Sequence, residues 1–130
     1  MTPAELDTIM SVHDLIARYA RLCDHREVDA WAALFTDDAR FTVRDIEYRG
    51  EAIRQWLVDQ SANPSGCHVN ANISVTPQGS DRATSLADFV FVRRQEGTGP
   101  WETVNVGWYD DVLVRVGNDW RFAERRIVVR

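Results

Sequence analysis

From Leu6 onward one stripe recurs at every third or fourth position: Leu6, Ile9, Met10, His13, Ile16, Tyr19 and Ala20. That spacing predicts one face of a helix about five turns long, with Arg18 and Arg21 on its other side. Pro3 suits the first turn, where its missing N–H costs nothing. His13 on this stripe reads as a packed or rim histidine. After a polar break at His25 to Val28, a second helix is predicted over Val28 to Phe35, burying Trp31, Leu34 and Phe35. Thr36-Asp37-Asp38 carries turn chemistry and should stop it. Two short strands, Arg40 to Val43 and Glu47 to Arg49, flank a tight hairpin at Arg44-Asp45. Gly50 leads into a third helix, Glu51 to Gln60, burying Ile53, Trp56 and Leu57. Ser61 to Gly66 reads as a loop.

Beyond Gly66 the period changes from about 3.6 to 2, and the chain is read as β. The strand Cys67 to Thr76 alternates Cys67, Val69, Ala71, Ile73 and Val75 against His68, Asn70, Asn72, Ser74 and Thr76. Arg82 to Gln95 sets Leu86, Val90 and Val92 against Ala87, Phe89 and Phe91. Glu96 to Pro100 is a hairpin loop. Trp101 to Val116 places Val104, Val106, Trp108, Val112 and Val114 opposite Thr103, Asn105, Gly107, Tyr109 and Leu113. Trp120 to Val129 is the last strand. Helices gathered before a run of strands indicate the α+β class. A twisted antiparallel sheet curled around the first helix would form a cone whose mouth is a natural pocket.

Composition adds limits to this outline. The chain has 130 residues, 45% hydrophobic and 10% aromatic, with five Trp, enough for one domain with a core and a lined cavity. A net charge of −5 argues against a nucleic-acid partner, which calls for a basic face. No apolar run approaches the ~18 residues of a membrane span. Met1 to Asp7 lacks the basic and apolar regions of a signal peptide, so a cytosolic protein is expected. Cys23 and Cys67 form no metal-binding pattern and read as small apolar filler. With three His and no nucleotide, nucleophile-elbow or zinc-protease motif, neither a cofactor nor a metal is expected.

Two positions stand out chemically. Asp24 follows the predicted helix, where the negative end of the dipole disfavours a carboxylate. It either starts the next turn or faces a pocket and holds a partner. His68 heads the polar face of its strand, either bonded to a backbone carbonyl or open to a cavity. Trp31, Phe35, Phe89, Phe91 and Trp120 are core or cavity wall, and Asn70, Asp88 and Asn105 are candidate cavity polars.

Five segments then carry a likeness in order over nearly the whole chain: Ile16-Ala-Arg-Tyr-Ala20, Asp29 to Ala39, Tyr48 to Ile53, Gly66-Cys-His-Val69 and Asp119 to Arg125. They resemble the nuclear-transport-factor-2-like superfamily, specifically its SnoaL-like branch, akin to scytalone dehydratase, hexachlorocyclohexane dehydrochlorinase and bile-acid 7α-dehydratase. The resemblance implies a cone with a deep, largely apolar cavity. It places Asp24 and His68 on the positions of an Asp–His dyad, Tyr19 on a pocket hydroxyl and Arg125 near a leaving group. The carboxylate of the ketosteroid isomerase branch would fall near Val43, and the second His of scytalone dehydratase has no counterpart.

In that reading a carboxylate on Nδ1–H orients the imidazole, and Nε2 takes a proton next to an activating group. Tyr19 would donate to a substrate oxygen, and Arg125 would stabilise a departing group. The implied activity is dehydratase-type elimination or isomerisation of a small, mostly apolar, cyclic substrate, with Trp31, Phe35, Asn70, Phe89, Asn105 and Trp120 as binding residues. The alternative is a protein of the same fold that only binds such a ligand. Removing Arg125 is then expected to leave the fold intact. The apolar outer positions around Trp108, joined by Ile127 and Val129, point to a homo-oligomer, a dimer ahead of a trimer.

Overall fold

A computed structural model describes residues 1–60 and 66–130, so most of the loop expected over Ser61 to Gly66 lies outside the described residues. Helix α1 spans Pro3–Asp24, opened by a capping box: the Thr2 hydroxyl accepts from the Glu5 N–H, and the Glu5 carboxylate accepts from the Thr2 N–H. Its buried stripe is Thr8, Val12, Leu15, Ile16, Tyr19, Ala20 and Cys23. Leu6 and Met10, expected on that stripe, are 48% and 64% exposed, and His13 is exposed too. The helix ends with Arg26 in the left-handed region (φ 59) and the Glu27 N–H on the Leu22 carbonyl, a Schellman closure at the site where Gly is usual.

Helix α2 is shorter than its periodicity suggests, Val28–Ala32, and Phe35 already belongs to strand β1, Phe35–Val43. The turn chemistry at Thr36 is real, since its hydroxyl donates to Asp38 Oδ1 at 2.9 Å. It lies in an irregular stretch of β1 rather than a stop, because the pairing with the last strand shifts register between Phe35 and Arg40. Arg44 and Asp45 both take positive φ (50 and 67), the type I′ hairpin geometry, and lead into β2, Ile46–Arg49. Helix α3, Glu51–Asp59, buries Ile53 and Leu57 and leaves Trp56 half-buried, its ring stacked 5.8 Å from that of Trp31.

Strands β3 (Gly66–Pro77), β4 (Arg82–Arg93), β5 (Glu102–Val116) and β6 (Asp119–Val129) form an antiparallel meander, with a 3-10 turn at Gln95–Gly97 between β4 and β5. The six-stranded order is β2-β1-β6-β5-β4-β3. One joint departs from the antiparallel expectation: β1 pairs with β6 in parallel. The β1–β2 hairpin occupies one edge and β3 the other, so the meander fills the gap and its last strand meets β1. The sheet is curved and unclosed, a cone around the N-terminal helices. Gly107 permits the close approach of β5 and β6, since a Cβ there would lie 2.0 Å from the Val128 carbonyl oxygen.

Register shifts decide which side chains face inward. In β3, Asn72 takes φ 51 and the pairing with β4 shifts between Ala71 and Ser74. His68 and Asn70 face inward before the bulge, Ile73 and Val75 after it, and the simple alternation expected for β3 fails there. In β6 the pairing shifts beside Val112/Leu113, so Trp120 and Phe122 face inward and then Arg125, Ile127 and Val129 do. Ile127 and Val129 therefore do not belong to the outer face; Val128, opposite Trp108, does. That face carries the cross-strand row Val69, Val90 and Val106, with Val69 52% and Val106 40% exposed.

Candidate functional site

Tight packing fills one end of the cone, where Tyr19, Trp31, Phe35, Phe41 and Phe122 make edge-to-face and tilted ring contacts. At the other end the last turn of α1, the start of β3, the end of β4, the start of β5, the end of β6, the β1–β2 turn and α3 surround a cavity of about 480 Å³. Its wall is mainly apolar: among the described residues the aromatic rings of Tyr19, Tyr48, Trp56, Phe89, Phe91 and Tyr109 are joined by Val43, Ile46, Leu57, Val104, Ile127 and Val129. A concave, mostly apolar site with a few polar groups is the usual form of a small-molecule pocket.

Asp24, the last residue of α1, directs both carboxylate oxygens at His68. Oδ2 accepts the His68 backbone N–H at 2.9 Å, and Oδ1 lies 2.5 Å from the ring Nδ1. These donors account for a carboxylate at the negative end of a helix. A carboxylate partner puts the ring hydrogen on Nδ1, leaving the Nε2 lone pair free. The His68 ring packs on Phe91 at 4.5 Å, and the Asp24 and His68 side chains are 13% and 17% exposed. The imidazole is thus fixed by its backbone, by Nδ1 and by one face.

Tyr19 and Tyr109 stand beside this pair with rings 5.8 Å apart. Burial pushes both phenols above their usual range, so each remains a hydrogen-bond donor at neutral pH. Tyr109 was not among the expected site residues, and its phase with Asn105 and Gly107 on β5 is the one sequence signal that marks it. Phe89 and Asn105 line the cavity as expected, and Asn105 Oδ1 accepts from Arg44 Nη2 at 3.1 Å.

The other expected site residues lie elsewhere. Trp31 and Phe35 are core, at 0% and 4% exposure. Trp120 borders a separate depression with Met10 and Asp14 near the middle of α1. Asn70 faces inward without lining the cavity, its Oδ1 buried and unpartnered among the described residues. Arg125 does not line the cavity either. It is fully buried, with Nε and Nη2 bonded to Asp111 at 2.9 and 3.2 Å, and Ser85 donates to the same carboxylate at 3.1 Å. Its guanidinium lies 4.1 and 3.6 Å from the ring centres of Tyr19 and Tyr109, so it meets the site through those two rings. Burial pushes the Asp111 carboxyl up, and Arg125 and Ser85 oppose that shift.

Cys23, Asp24 and His68 offer ligand atoms within 4.8 Å of one another, a proximity that sequence spacing does not reveal. A metal there would have to compete with the Asp24–His68 contacts and ionise Cys23. Burial, then the Asp24 charge, pushes that thiol up to about 12. At pH 8 the Cys23 thiolate is accordingly much scarcer than in a free cysteine. In the native protein iodoacetamide should therefore label exposed Cys67 and spare Cys23. Equal labelling by peptide mass analysis would show that the cavity wall opens.

The family model for the SnoaL-like domain matches residues 4–126. An uncharacterized protein of Mycobacterium tuberculosis is 29% identical over 96% of this chain and 87% of its own length. Two solved structures from Novosphingobium aromaticivorans share the fold. One is a scytalone-dehydratase-like protein, with TM-score 0.88, 21% identity and coverage of 100% of this chain and 89% of that one. The other is an NTF2-like protein with a cystatin-like fold, with TM-score 0.84, 25% identity and coverage of 95% and 82%.

Proposed function

Since the chain belongs to the SnoaL-like domain family, we propose that it is a cofactor-independent lyase that eliminates water, or a similar leaving group, from a small cyclic substrate. The observation that carries this reading is the two-point hold of Asp24 on His68 at the wall of an aromatic cavity. Nε2 of His68 takes the proton from the carbon next to a carbonyl. The C–H electron pair becomes the new double bond, and the group on the next carbon leaves with its own bonding pair; a leaving hydroxyl takes the proton back from the imidazolium, departing as water and restoring the base. Asp24 stabilises the imidazolium so formed and keeps the ring aimed. The Tyr19 and Tyr109 phenols donate to the carbonyl oxygen, where negative charge grows. Arg125 takes no part in the chemistry and holds those two rings from behind.

A panel of cyclic β-hydroxyketones tests this by loss of water, followed as enone absorbance, and by deuterium uptake at the α-carbon. Wild type is expected to do both, and His68→Gln to do neither above background, a loss of about 10²–10⁴-fold. Binding of the same compounds without exchange in either protein would establish a ligand carrier instead.

The same proposal includes a second copy of the chain packed on the outer row Val69, Val90 and Val106 beside Trp108. Trp108→Glu should dissociate that assembly, because a carboxylate would then be buried without a partner. Sedimentation showing a wild-type monomer at micromolar concentration rejects it.

A further inference from the structure

The cavity's charge runs against that of the chain. Among the described residues three arginines, Arg26, Arg44 and Arg93, line it, and Asp24 is the one carboxylate that does. Both oxygens of Asp24 are engaged by His68. Among the described residues none of the three arginines is in ion-pair contact with a carboxylate; Arg40, Arg49, Arg54, Arg115, Arg125 and Arg126 are, and Arg18, Arg21, Arg82, Arg94, Arg121 and Arg130, none of which lines the cavity, are not. The contacts they do make are to neutral oxygens: Arg26 Nη2 to the Val58 carbonyl at 3.3 Å, and Arg44 Nη2 to Asn105 Oδ1 at 3.1 Å. Such oxygens orient a guanidinium without neutralising it. A chain of net charge −5 has no shortage of acidic side chains to pair with them.

Backbone conformation makes two of these arginines less expected still. Arg26 and Arg44 both sit at left-handed φ (59 and 50), where Gly or Asn is the easier choice. Each is at a chain reversal, after α1 and between β1 and β2, and each lines the cavity. Arg93 approaches from a third direction, at the end of β4. Guanidinium groups are forks suited to two-oxygen anions. Arg44 and Arg93 are exposed, whereas Tyr19 and Tyr109 on the same wall are buried.

We propose that the cavity's ligand is a cyclic, largely apolar carboxylic acid, whose carboxylate is bound by Arg26, Arg44 and Arg93 while its ring system lies against the aromatic wall. This rests on the cavity being the ligand site proposed above. It narrows the substrate class to anions and gives the molecule one orientation, with the carboxylate among the arginines and the apolar body toward His68.

Calorimetric titration with naphthylacetate and its neutral isostere naphthylacetamide tests it. Wild type is expected to bind the acid at least about tenfold more tightly than the amide, with the gap narrowing as salt rises. In the triple variant Arg26→Gln/Arg44→Gln/Arg93→Gln the preference should fall to within about twofold, with amide affinity unchanged. Should the triple variant fail to fold, Arg44→Gln/Arg93→Gln, both at exposed positions, should lose most of the preference. Equal binding of acid and amide by wild type overturns the inference and leaves the cavity as the ligand site. A preference for the acid that survives all the variants overturns it as well. Binding of neither compound overturns it together with the reading of the cavity as a binding site.

Discussion

Asp24→Asn is expected to lower turnover by about 10³–10⁴-fold while leaving the fold intact. The reason lies in which atoms Asp24 touches. Its Oδ2 accepts from the His68 backbone N–H, and that donor can be met only by an acceptor. An asparagine at this position must therefore place its carbonyl oxygen there, because the opposite rotamer sets two donors face to face. The amide nitrogen then points at Nδ1 and donates to it. The ring hydrogen moves to Nε2, and the base is lost although no side chain has moved. His68→Ala should be comparably inactive, and the double variant no worse than either single one, since the two residues act as a unit. Asp24→Ala differs in kind. It strands the half-buried His68 N–H and adds a stability loss of about 1–3 kcal/mol. A variant Asp24→Asn that keeps a tenth of wild-type turnover would exclude a tautomer-setting role.

The second large effect is on stability. Arg125→Ala is expected to cost about 3–5 kcal/mol, because it leaves the Asp111 carboxylate buried without its cation. In a chain of this size that lowers Tm by roughly 10–20 °C. Both side chains are 0% exposed, and the guanidinium also packs on Tyr19, Tyr109 and Phe122. Arg125→Lys should recover little, since an ammonium can neither bridge both oxygens nor stack flat on the rings. Replacing the pair together, Arg125→Met with Asp111→Leu, should restore most of the loss, because no charge is then left buried. Thermal unfolding of the four proteins decides it. A wild-type Tm for Arg125→Ala would show that the pair does not hold the core together.

The α+β order was readable because hydrophobic period separates the helix-rich first half from the four-stranded meander, and the switch near Gly66 is sharp. Asp24 was conspicuous as a carboxylate at the wrong end of a helix dipole. His68, 44 residues further on, was conspicuous as the head of a polar strand face, and the structure brings the two into contact. What periodicity could not supply is phase after a bulge. One register shift beside Val112/Leu113 turns Ile127 and Val129 inward and carries Arg125 into the core with them. For that reason Arg125 lies in the core instead of on the cavity wall, where a leaving group would stand, and its loss is now expected to cost stability. A left-handed residue at Asn72 does the same in β3, turning Ile73 and Val75 inward. Phe35 reads equally well as the end of a helix or the start of a strand, and only its place opposite Phe122 decides for the strand. Arg26 and Arg44 escaped notice because surface arginines at turns are ordinary until the cavity they border is known.

The central claim is that Asp24 sets the protonation geometry of the His68 ring, and nitrogen NMR of that ring tests it most directly. At a pH where the imidazole is neutral, wild type should show a hydrogen-bearing Nδ1 and a lone-pair Nε2, and Asp24→Asn should exchange the two signatures. A wild-type ring with its hydrogen on Nε2, or a tautomer balance that Asp24→Asn leaves unchanged, would contradict the account.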